Sequence, residues 1–349
     1  MTNLLEIKKL SVSFQTEYET TYAVRDVSIT LSPGEVLGIV GESGAGKSTI
    51  GNAIVNLLEP PGEITTGEVL FKGQDLRNLD DKEMRDVRGK KIGMIFQDPQ
   101  TSLNPLMTIG AQLIETINKT INLYGSEATN KAIELLESVG IDEPEARLNL
   151  YPHQFSGGMR QRVVIALALS GNPDLIIADE PTTALDVSIQ AQILDLIKKL
   201  CQERQVGVII ITHDIGVIAN ISDRVTVMFN GQAVESGEVK QILTNPKHEY
   251  TKSLIAAVPR GDRKVERFKS IDYIEGGAQT QRRIDLDQHW LGKKFTQQFS
   301  DTAISINDLN KKYSLKKAFL KRNRSYVHAV KDVSLSIKKG ESFGLVGES

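Results

Sequence analysis

The chain has 349 residues, of which 40% are hydrophobic and 25% are charged, a composition that is typical of a globular protein of about two domains. Its formal net charge of −2 argues against a generally basic nucleic-acid binder. Its single cysteine, Cys201, excludes an internal disulfide and a zinc or iron–sulfur site built on four cysteines.

The first part of the chain predicts strands, a glycine-rich turn and a helix. Residues 4–14 and 24–31 are rich in Val, Ile, Leu and Ser with partial alternation, which favours β-strands. Glu35–Val40 is a short apolar run that predicts a buried strand leading into the turn. A helix is predicted from Lys47, ending at the Pro-Pro pair that follows.

The middle of the chain alternates between strand and helix signals. "KIGMIFQ", "DLIIADE" and "GVIIITHD" predict short strands, and residues 105–150 predict mainly helix. Helices are also predicted for "GGMRQRVVIALALSG" and "SIQAQILDLIKKLCQER". The alternation predicts an α/β domain over residues 1–260 with a parallel sheet and a helical subdomain at about 100–170. The longest apolar runs are shorter than the roughly 20 residues needed to cross a bilayer.

The segment Gly41–Ser48, "GESGAGKS", has the spacing G-x-x-x-x-G-K-S between a predicted strand and a predicted helix. Glycines let successive backbone N–H groups turn inward to form an anion-binding nest, and the helix N-terminus adds positive potential. Lys47 can reach the β- and γ-phosphates of a nucleotide, and the Ser48 hydroxyl can hold Mg²⁺. This pattern predicts a phosphate-binding loop; a chance glycine turn is the alternative.

A second motif is "LIIADE", Leu175–Glu180, a buried strand that ends in two carboxylates. Buried acids are costly unless a ligand uses their charge. Asp179 fits a role beside Mg²⁺, and Glu180 fits a general base that polarises the attacking water. The alternative is an ordinary acid pair that caps a helix.

The third motif is "QFSGGMRQR", in which Ser156, Gly157 and Gly158 stand at a predicted helix start. A helix N-terminus favours anions, so this predicts a second anion-binding position. A plain helix cap is the alternative interpretation.

The end of the chain repeats its beginning. Tyr22–Ser43 aligns without a gap with His328–Ser349, and Leu5–Phe14 matches Ile304–Tyr313. Residues 304–349 are therefore predicted to begin a second copy of the first domain, after a polar linker at 261–303. We expect the sequence to be part of a longer tandem protein in which a second phosphate-binding loop follows.

The motifs "GESGAGKS", "FSGGM", "IIADEPTTALD" and "ITHD" resemble, in order and spacing, those of ATP-binding-cassette (ABC) ATPases. The resemblance covers residues 4–260 and the start of a second cassette. It implies a P-loop NTPase fold with a RecA-like parallel sheet, an antiparallel β subdomain and a helical subdomain. It also implies ATP and Mg²⁺ as ligands, and ATP hydrolysis as the activity.

The resemblance implies roles for individual residues. Gln97 corresponds to the glutamine that senses Mg²⁺ and the attacking water, and His213 to the histidine that contacts the γ-phosphate. Asp186 matches the aspartate that links two sites, while the loop of Ser156, Gly157 and Gly158 matches the one that contacts ATP on the opposite cassette. Nucleotide contacts are implied for Gly41, Glu42, Ser43, Gly44, Ala45, Gly46, Lys47, Ser48 and Thr49.

The same resemblance implies catalytic roles for Glu180, His213 and Gln97. It implies metal contacts for Ser48, Gln97 and Asp179. For the aromatic residue that stacks on adenine, Phe14 is favoured because the second copy of the repeat has another aromatic residue, Tyr313, at the equivalent position. Tyr22 is the alternative.

The segment Asn245–Arg260, "NPKHEYTKSLIAAVPR", resembles the tail of the oligopeptide, dipeptide and nickel importer ATPases, and two such cassettes in one chain resemble the tandem glutathione-importer type. This implies an ATPase that drives uptake of peptides or glutathione-like cargo. The implied partners are two transmembrane permease subunits, an extracytoplasmic substrate-binding protein and a second cassette, either its own other half or a second copy. Nucleic acid is not an expected partner.

The implied location is peripheral, at the cytoplasmic face of the inner (plasma) membrane. A soluble non-transport ABC ATPase of translation or DNA repair is the alternative. ABC ATPases of DNA repair usually have long coiled coils between the phosphate-binding loop and the second glycine motif. This sequence has no sustained heptad pattern between "GESGAGKS" and "FSGGM".

Overall fold

A computed structural model describes residues 3–15, 19–183, 185–257, 301–314 and 326–347, which form two compact units. The strands of the first unit are β1 (Leu5–Gln15), β2 (Thr20–Leu31), β3 (Val36–Val40), β4 (Gly62–Phe71), β5 (Gln74–Asp75), β6 (Ile92–Ile95), β7 (Leu175–Asp179), β8 (Gly207–Thr212), β9 (Arg224–Phe229) and β10 (Gln232–Glu238). Its helices are α1 (Lys47–Ile54), α2 (Asp81–Val87), α3 (Pro99–Ser102), α4 (Ile109–Ile121), α5 (Gly125–Ser138), α6 (Pro144–Arg147), α7 (Gly157–Leu169), α8 (Val187–Arg204), α9 (Ile215–Ile221), α10 (Val239–Thr244) and α11 (Glu249–Ala256).

The central sheet has the strand order β10-β9-β3-β8-β7-β6. Its strands run parallel except for β10, which pairs antiparallel with β9. Every residue of β3, β7 and β8 is buried, because these short apolar strands are covered on both faces. The predicted α/β core is therefore present, and its carboxyl ends meet at one edge of the sheet.

A second sheet of order β2-β1-β4-β5 is antiparallel throughout. Its apolar face shares one core with the central sheet and α1, and this core includes Leu10, Val27, Ile39 and Ile50. This sheet is the antiparallel β layer that the family resemblance implies. Strands β4, β5, β9 and β10 are not among the strands predicted from the sequence.

The helices α3 to α7 occupy residues 99–169, the range predicted for the helical subdomain. Together with α8 and α9 they cover the other face of the central sheet, in a core that includes Leu113, Leu136, Val163 and Ile210. The predicted helical stretch is divided into several helices by short turns. This layer supports the start of α7, where the second glycine motif lies.

Helix α1 is shorter than predicted: it ends at Ile54, several residues before the proline pair. Asn56 adopts a left-handed conformation (φ 50°), and the Leu57 N–H donates to the Asn52 carbonyl oxygen at 2.8 Å. This bond pattern closes a helix C-terminus with its last carbonyls satisfied. The helix stop is therefore set by asparagine geometry rather than by Pro60.

Strands β1 and β2 carry paired bulges. Lys9 and Asp26 both have positive φ, at 48° and 50°. The Lys9 N–H donates to Ser28 Oγ at 3.0 Å, and the Asp26 N–H donates to Ser11 Oγ at 3.1 Å. Hydroxyls thus satisfy two N–H groups that the bulges release from the ladder.

The second unit contains the antiparallel strands β11 (Thr302–Ser314) and β12 (Tyr326–Lys338). Asp308 and Asp332 have φ of 47° and 50°, and their N–H groups donate to Ser334 Oγ at 2.9 Å and Asn310 Oδ1 at 3.3 Å. These residues are equivalent in the repeat to those of the bulges in β1 and β2. The local structure therefore follows the repeat seen in the sequence.

Most of the predicted linker, residues 261–300, lies outside the described residues, and β11 begins within its last residues. The domain boundaries therefore remain a prediction. Within the described ranges, no helix combines the length and hydropathy needed to cross a bilayer.

Candidate nucleotide-binding site

The glycine-rich loop joins β3 to α1 at the carboxyl edge of the central sheet. Its tip, Glu42–Gly44, is exposed, while Ala45 and Gly46 are buried, and Thr49 is half-buried in α1. Gly46 has φ of 92°, and a Cβ there would lie 2.1 Å from the Ala23 carbonyl oxygen. Only glycine fits this position, so the loop has the backbone that an anion nest requires.

Lys47 is the first residue of α1, and its side chain is buried under the loop. Its Nζ donates to the carbonyl oxygens of Gly41, at 2.9 Å, and Glu42, at 2.8 Å. Burial lowers the pKa of Lys47, and the nearby carboxylates of Glu180, Asp179 and Glu42 oppose this shift. Two carbonyl oxygens of the loop thus hold the ammonium group in place at the start of α1.

Ser48 and Asp179 form the next contact. The Ser48 hydroxyl donates to Asp179 Oδ1 at 3.0 Å, across from α1 to the last residue of β7. Burial raises the pKa of Asp179, against the opposing effects of the Ser48 hydrogen bond and the charge of Lys47. A hydroxyl beside a carboxylate offers the oxygen ligands that Mg²⁺ prefers, so the pair fits that ion.

Glu180 follows β7 and has a left-handed backbone, with φ of 46°. Its Oε2 accepts from Gln97 Nε2 at 3.1 Å and from the Thr183 hydroxyl at 2.8 Å. Its Oε1 lies 3.0 Å from Nδ1 of His213, the first residue after β8. Three side chains therefore fix this carboxylate at the edge of the sheet.

The electrostatics of Glu180 follow from these contacts. Burial by itself would raise the pKa of this carboxyl group, but the hydrogen bonds from His213 and Thr183 outweigh it, assisted by the charges of His213 and Lys47. The pKa of Glu180 therefore lies below its ordinary value. The group is a carboxylate at neutral pH, able to accept a hydrogen bond from water.

The predicted signature residues lie at the start of α7. Ser156 is the N-cap, and its Oγ accepts from the Met159 N–H at 3.4 Å. Gly157 is exposed, and a Cβ there would lie 3.6 Å from a methyl group of Leu185. Ser156 and Gly157 thus face solvent beside the segment that leads into α8.

Asp186 caps α8 and accepts from the Ile189 N–H at 3.0 Å. A Cβ on Gly158 would lie 2.5 Å from Ile189 Cγ2, so only glycine allows α7 to approach α8 this closely. The predicted residues therefore fall into two groups. One group surrounds Lys47, Asp179 and Glu180, and the other joins Ser156, Gly157 and Gly158 to the start of α8.

The two candidate aromatic residues have different surroundings. Phe14 is half-buried against the core, and a Cβ on Gly62 would come within 2.7 Å of its ring. Tyr22 is 46% exposed and precedes Ala23, whose carbonyl oxygen contacts the loop at Gly46. Tyr22 is therefore the more exposed of the two rings, and its chain neighbour Ala23 contacts the loop.

Sequence reasoning missed two residues that contact the site. Thr183 donates to Glu180, and the Tyr250 hydroxyl accepts from the Glu42 N–H at 3.1 Å. Thr183 lies within the motif "IIADEPTTALD", so its position shortly after the two acids was a usable signal. Tyr250 gave none, since it lies 208 residues from its partner in the chain.

Comparison with known proteins gives two family matches. Residues 24–183 match the family described as "ABC transporter", and residues 234–297 match "Oligopeptide/dipeptide transporter, C-terminal region". The oligopeptide transport ATP-binding protein OppD of Bacillus subtilis (strain 168) is 55% identical over 260 residues, which cover 74% of this chain and 73% of OppD.

The glutathione import ATP-binding protein GsiA of Salmonella typhimurium is 45% identical over 358 aligned positions. This match covers 99% of the present chain but 56% of GsiA, so the chain spans little more than half of that relative. Among solved structures, a dimeric post-hydrolysis state of the ATP-binding cassette MJ0796, bound to ADP and Pi, has a TM-score of 0.60 and 33% identity, covering 67% of this chain and 98% of that one.

Proposed function

Because this chain belongs to the ABC transporter family of ATP-binding proteins, we propose that it is the ATP-hydrolysing subunit of an importer for peptides or glutathione-like cargo. The observation that carries the proposal is the connected set of side chains at the carboxyl edge of the central sheet. Lys47 and Ser48 begin α1, Asp179 ends β7 and Glu180 follows it, and the four side chains interact beside the glycine-rich loop. Such an edge is where open α/β sheets bind ligands.

Each residue of this set has a proposed task. Lys47 contacts the β- and γ-phosphates, and Ser48 and Asp179 hold Mg²⁺ with help from Gln97. Mg²⁺, when bound, neutralises charge on the phosphates. Glu180 would accept a hydrogen bond from the attacking water as general base, and His213, whose Nδ1 lies 3.0 Å from Glu180 Oε1, would contact the γ-phosphate.

The signature group has a separate proposed task. Ser156, Gly157 and Gly158 lie with Asp186 at the starts of α7 and α8, and their exposed N-terminal end suits an anion. We assign them to the ATP of a facing cassette, which is either a second copy of this chain or another half of a longer protein. The adenine base is assigned to Tyr22, since Ala23 beside it contacts the phosphate-binding loop.

The cargo and partners follow from the tail. The match at 234–297 favours the transport role over the soluble roles in translation or DNA repair, since it is to a transporter region. Two permease subunits and an extracytoplasmic substrate-binding protein complete the proposed importer. The chain would then act peripherally at the cytoplasmic face of the plasma membrane.

The test is purification of the tagged chain from the membranes of its own organism. We expect two membrane permease subunits to co-purify, with Mg²⁺-dependent ATPase activity that rises when peptide-loaded binding protein is added. Lys47→Ala should abolish the ATPase activity, because it removes the ammonium that meets the phosphates, whereas Lys119→Ala on the exposed surface of α4 should not. Recovery of the chain with ribosomes or DNA instead of permeases would refute the transport role.

A further inference from the structure

Tyr250 is a wholly buried residue in α11, the helix formed by the tail segment. Its ring lies 4.4 Å from that of Phe229, the last residue of β9, measured between centroids. Burial raises the pKa of Tyr250, so its hydroxyl stays protonated and neutral across the physiological range. The Tyr250 side chain therefore holds an uncharged hydroxyl oxygen in a fixed position, where it can accept a hydrogen bond.

The Tyr250 hydroxyl contacts the phosphate-binding loop. The Glu42 N–H donates to the Tyr250 hydroxyl oxygen at 3.1 Å, and the Glu42 carbonyl oxygen accepts from Lys47 Nζ at 2.8 Å. The polar groups of Glu42 are thus held from both sides, by the tail on one and by the phosphate-binding lysine on the other. Glu42 therefore links the Tyr250 hydroxyl to Lys47, so loss of the Tyr250 hydrogen bond can shift the carbonyl oxygen that Lys47 contacts.

The start of α11 is itself anchored to β10. Glu235 accepts the N–H of Lys247 at 2.8 Å and that of His248 at 3.0 Å, and His248 Nδ1 accepts the Tyr250 N–H at 3.2 Å. A carboxylate at a helix N-terminus satisfies free N–H groups and favours the helix dipole. These bonds set where Tyr250 stands relative to the loop.

We propose that Tyr250 is a positioning residue for the phosphate-binding loop, through which α11 sets the affinity of this cassette for MgATP. The inference rests on the proposed function and deepens it, because it assigns to the tail an effect on nucleotide binding. Without the hydroxyl, the Glu42 N–H loses the acceptor that this part-buried hydrogen bond provides, and the loop relaxes away from the position that the bond sets. Nucleotide binding must then restore the loop, which weakens affinity.

The test compares the full chain with its Tyr250→Phe variant, which keeps the ring against Phe229. Titration calorimetry with MgADP and with a non-hydrolysable MgATP analogue should show about 3- to 10-fold weaker binding in the variant, the scale of one neutral hydrogen bond. Tyr124→Phe is the control, because Tyr124 is 62% exposed at the start of α5. This control should bind like the wild type.

A second readout requires no nucleotide. Hydrogen–deuterium exchange of the loop peptide around Glu42 should be faster in Tyr250→Phe than in the wild type. Glu235→Ala, which frees the start of α11 without touching the loop, should change both readouts in the same direction. A lower melting temperature with unchanged affinity and exchange would reduce Tyr250 to a packing residue and overturn the inference.

The two proposals fail in different ways. If the wild-type chain binds no magnesium nucleotide, the proposed function is wrong and this inference falls with it. If the wild type binds nucleotide and Tyr250→Phe binds it equally well, the inference alone is wrong.

Discussion

Glu180 combines a strained backbone conformation with a carboxylate that three side chains hold. Its left-handed backbone, φ 46°, costs of order 1–3 kcal/mol for a side chain of this size. Gln97, Thr183 and His213 hold its carboxylate in place of solvent. These three contacts offset the strain in the folded state, and they order the proposed general base before any ligand arrives.

Thr183 should position this carboxylate. In Thr183→Val the hydroxyl that donates to Glu180 is lost, so the pKa of Glu180 should rise from its lowered value. The acidic limb of the pH–kcat profile of the ATPase should therefore move to higher pH. At neutral pH, where Glu180 stays ionised, kcat should fall about 3- to 10-fold because the carboxylate is less well positioned. The KM for ATP should change little, since Thr183 is not proposed to contact nucleotide.

Thr183→Ser keeps the hydroxyl and should restore both the profile and kcat. The sign for stability follows from the same shift. Because the folded-state pKa of Glu180 is lowered, its contacts stabilise the fold above the unfolded-state pKa, and this contribution is lost as the pH falls through the folded-state value. A Thr183→Val enzyme with an unmoved acidic limb would show that the hydroxyl does not act on Glu180.

The adenine contact separates the two aromatic candidates. Tyr22 is the more exposed ring beside the loop, whereas Phe14 is partly buried in the core with Gly62 against its ring. Tyr22→Ala should weaken binding of MgADP by about 3- to 10-fold, the value of one stacked ring, with little loss of melting temperature. Phe14→Ala should instead lower the melting temperature, and a larger loss of affinity there would restore Phe14 as the platform.

At the scale of elements, the sequence predicted best where one physical signal dominated. Strands β3, β7 and β8 are short apolar runs buried on both faces, and each leads directly into a motif. Strand β4 was missed because polar residues and Gly67 break its alternation. A Cβ on Gly67 would lie 2.5 Å from the backbone of Leu10, so this glycine is required by the neighbouring strand and not by its own sequence context.

The site shows the same division. The phosphate-binding loop and the two acids at the end of β7 could be predicted from local motifs, because glycine turns and strand ends are determined by a few consecutive residues. The contact of Tyr250 with Glu42 depends on how α11 packs against β9, which no local pattern encodes. The sequence repeat also allows the bulges of the second copy to be predicted from those of the first. Asp26 and Asp332 are equivalent in the repeat, and in each the backbone N–H donates to a side-chain oxygen of the neighbouring strand.

At the scale of the whole molecule, the two groups of site residues predict pairing between cassettes. Lys47 and Glu180 belong to one group, while Ser156 caps α7 in the other, next to Asp186. Two copies that face each other head to tail would each complete the site of the other, and retained γ-phosphate would hold them together.

Glu180→Gln should trap this pair. An amide cannot accept the proton of the attacking water, so hydrolysis slows while Lys47 and the facing Ser156 still contact the phosphates. By size exclusion with light scattering in MgATP, the variant should elute at about twice the 38.5 kDa of one chain, and the wild type mainly as monomer. Adding Lys47→Ala to the variant should return it to monomer, because phosphate binding is lost. A Glu180→Gln chain that stays monomeric at saturating MgATP would contradict pairing between copies and leave the facing signature loop to a different cassette.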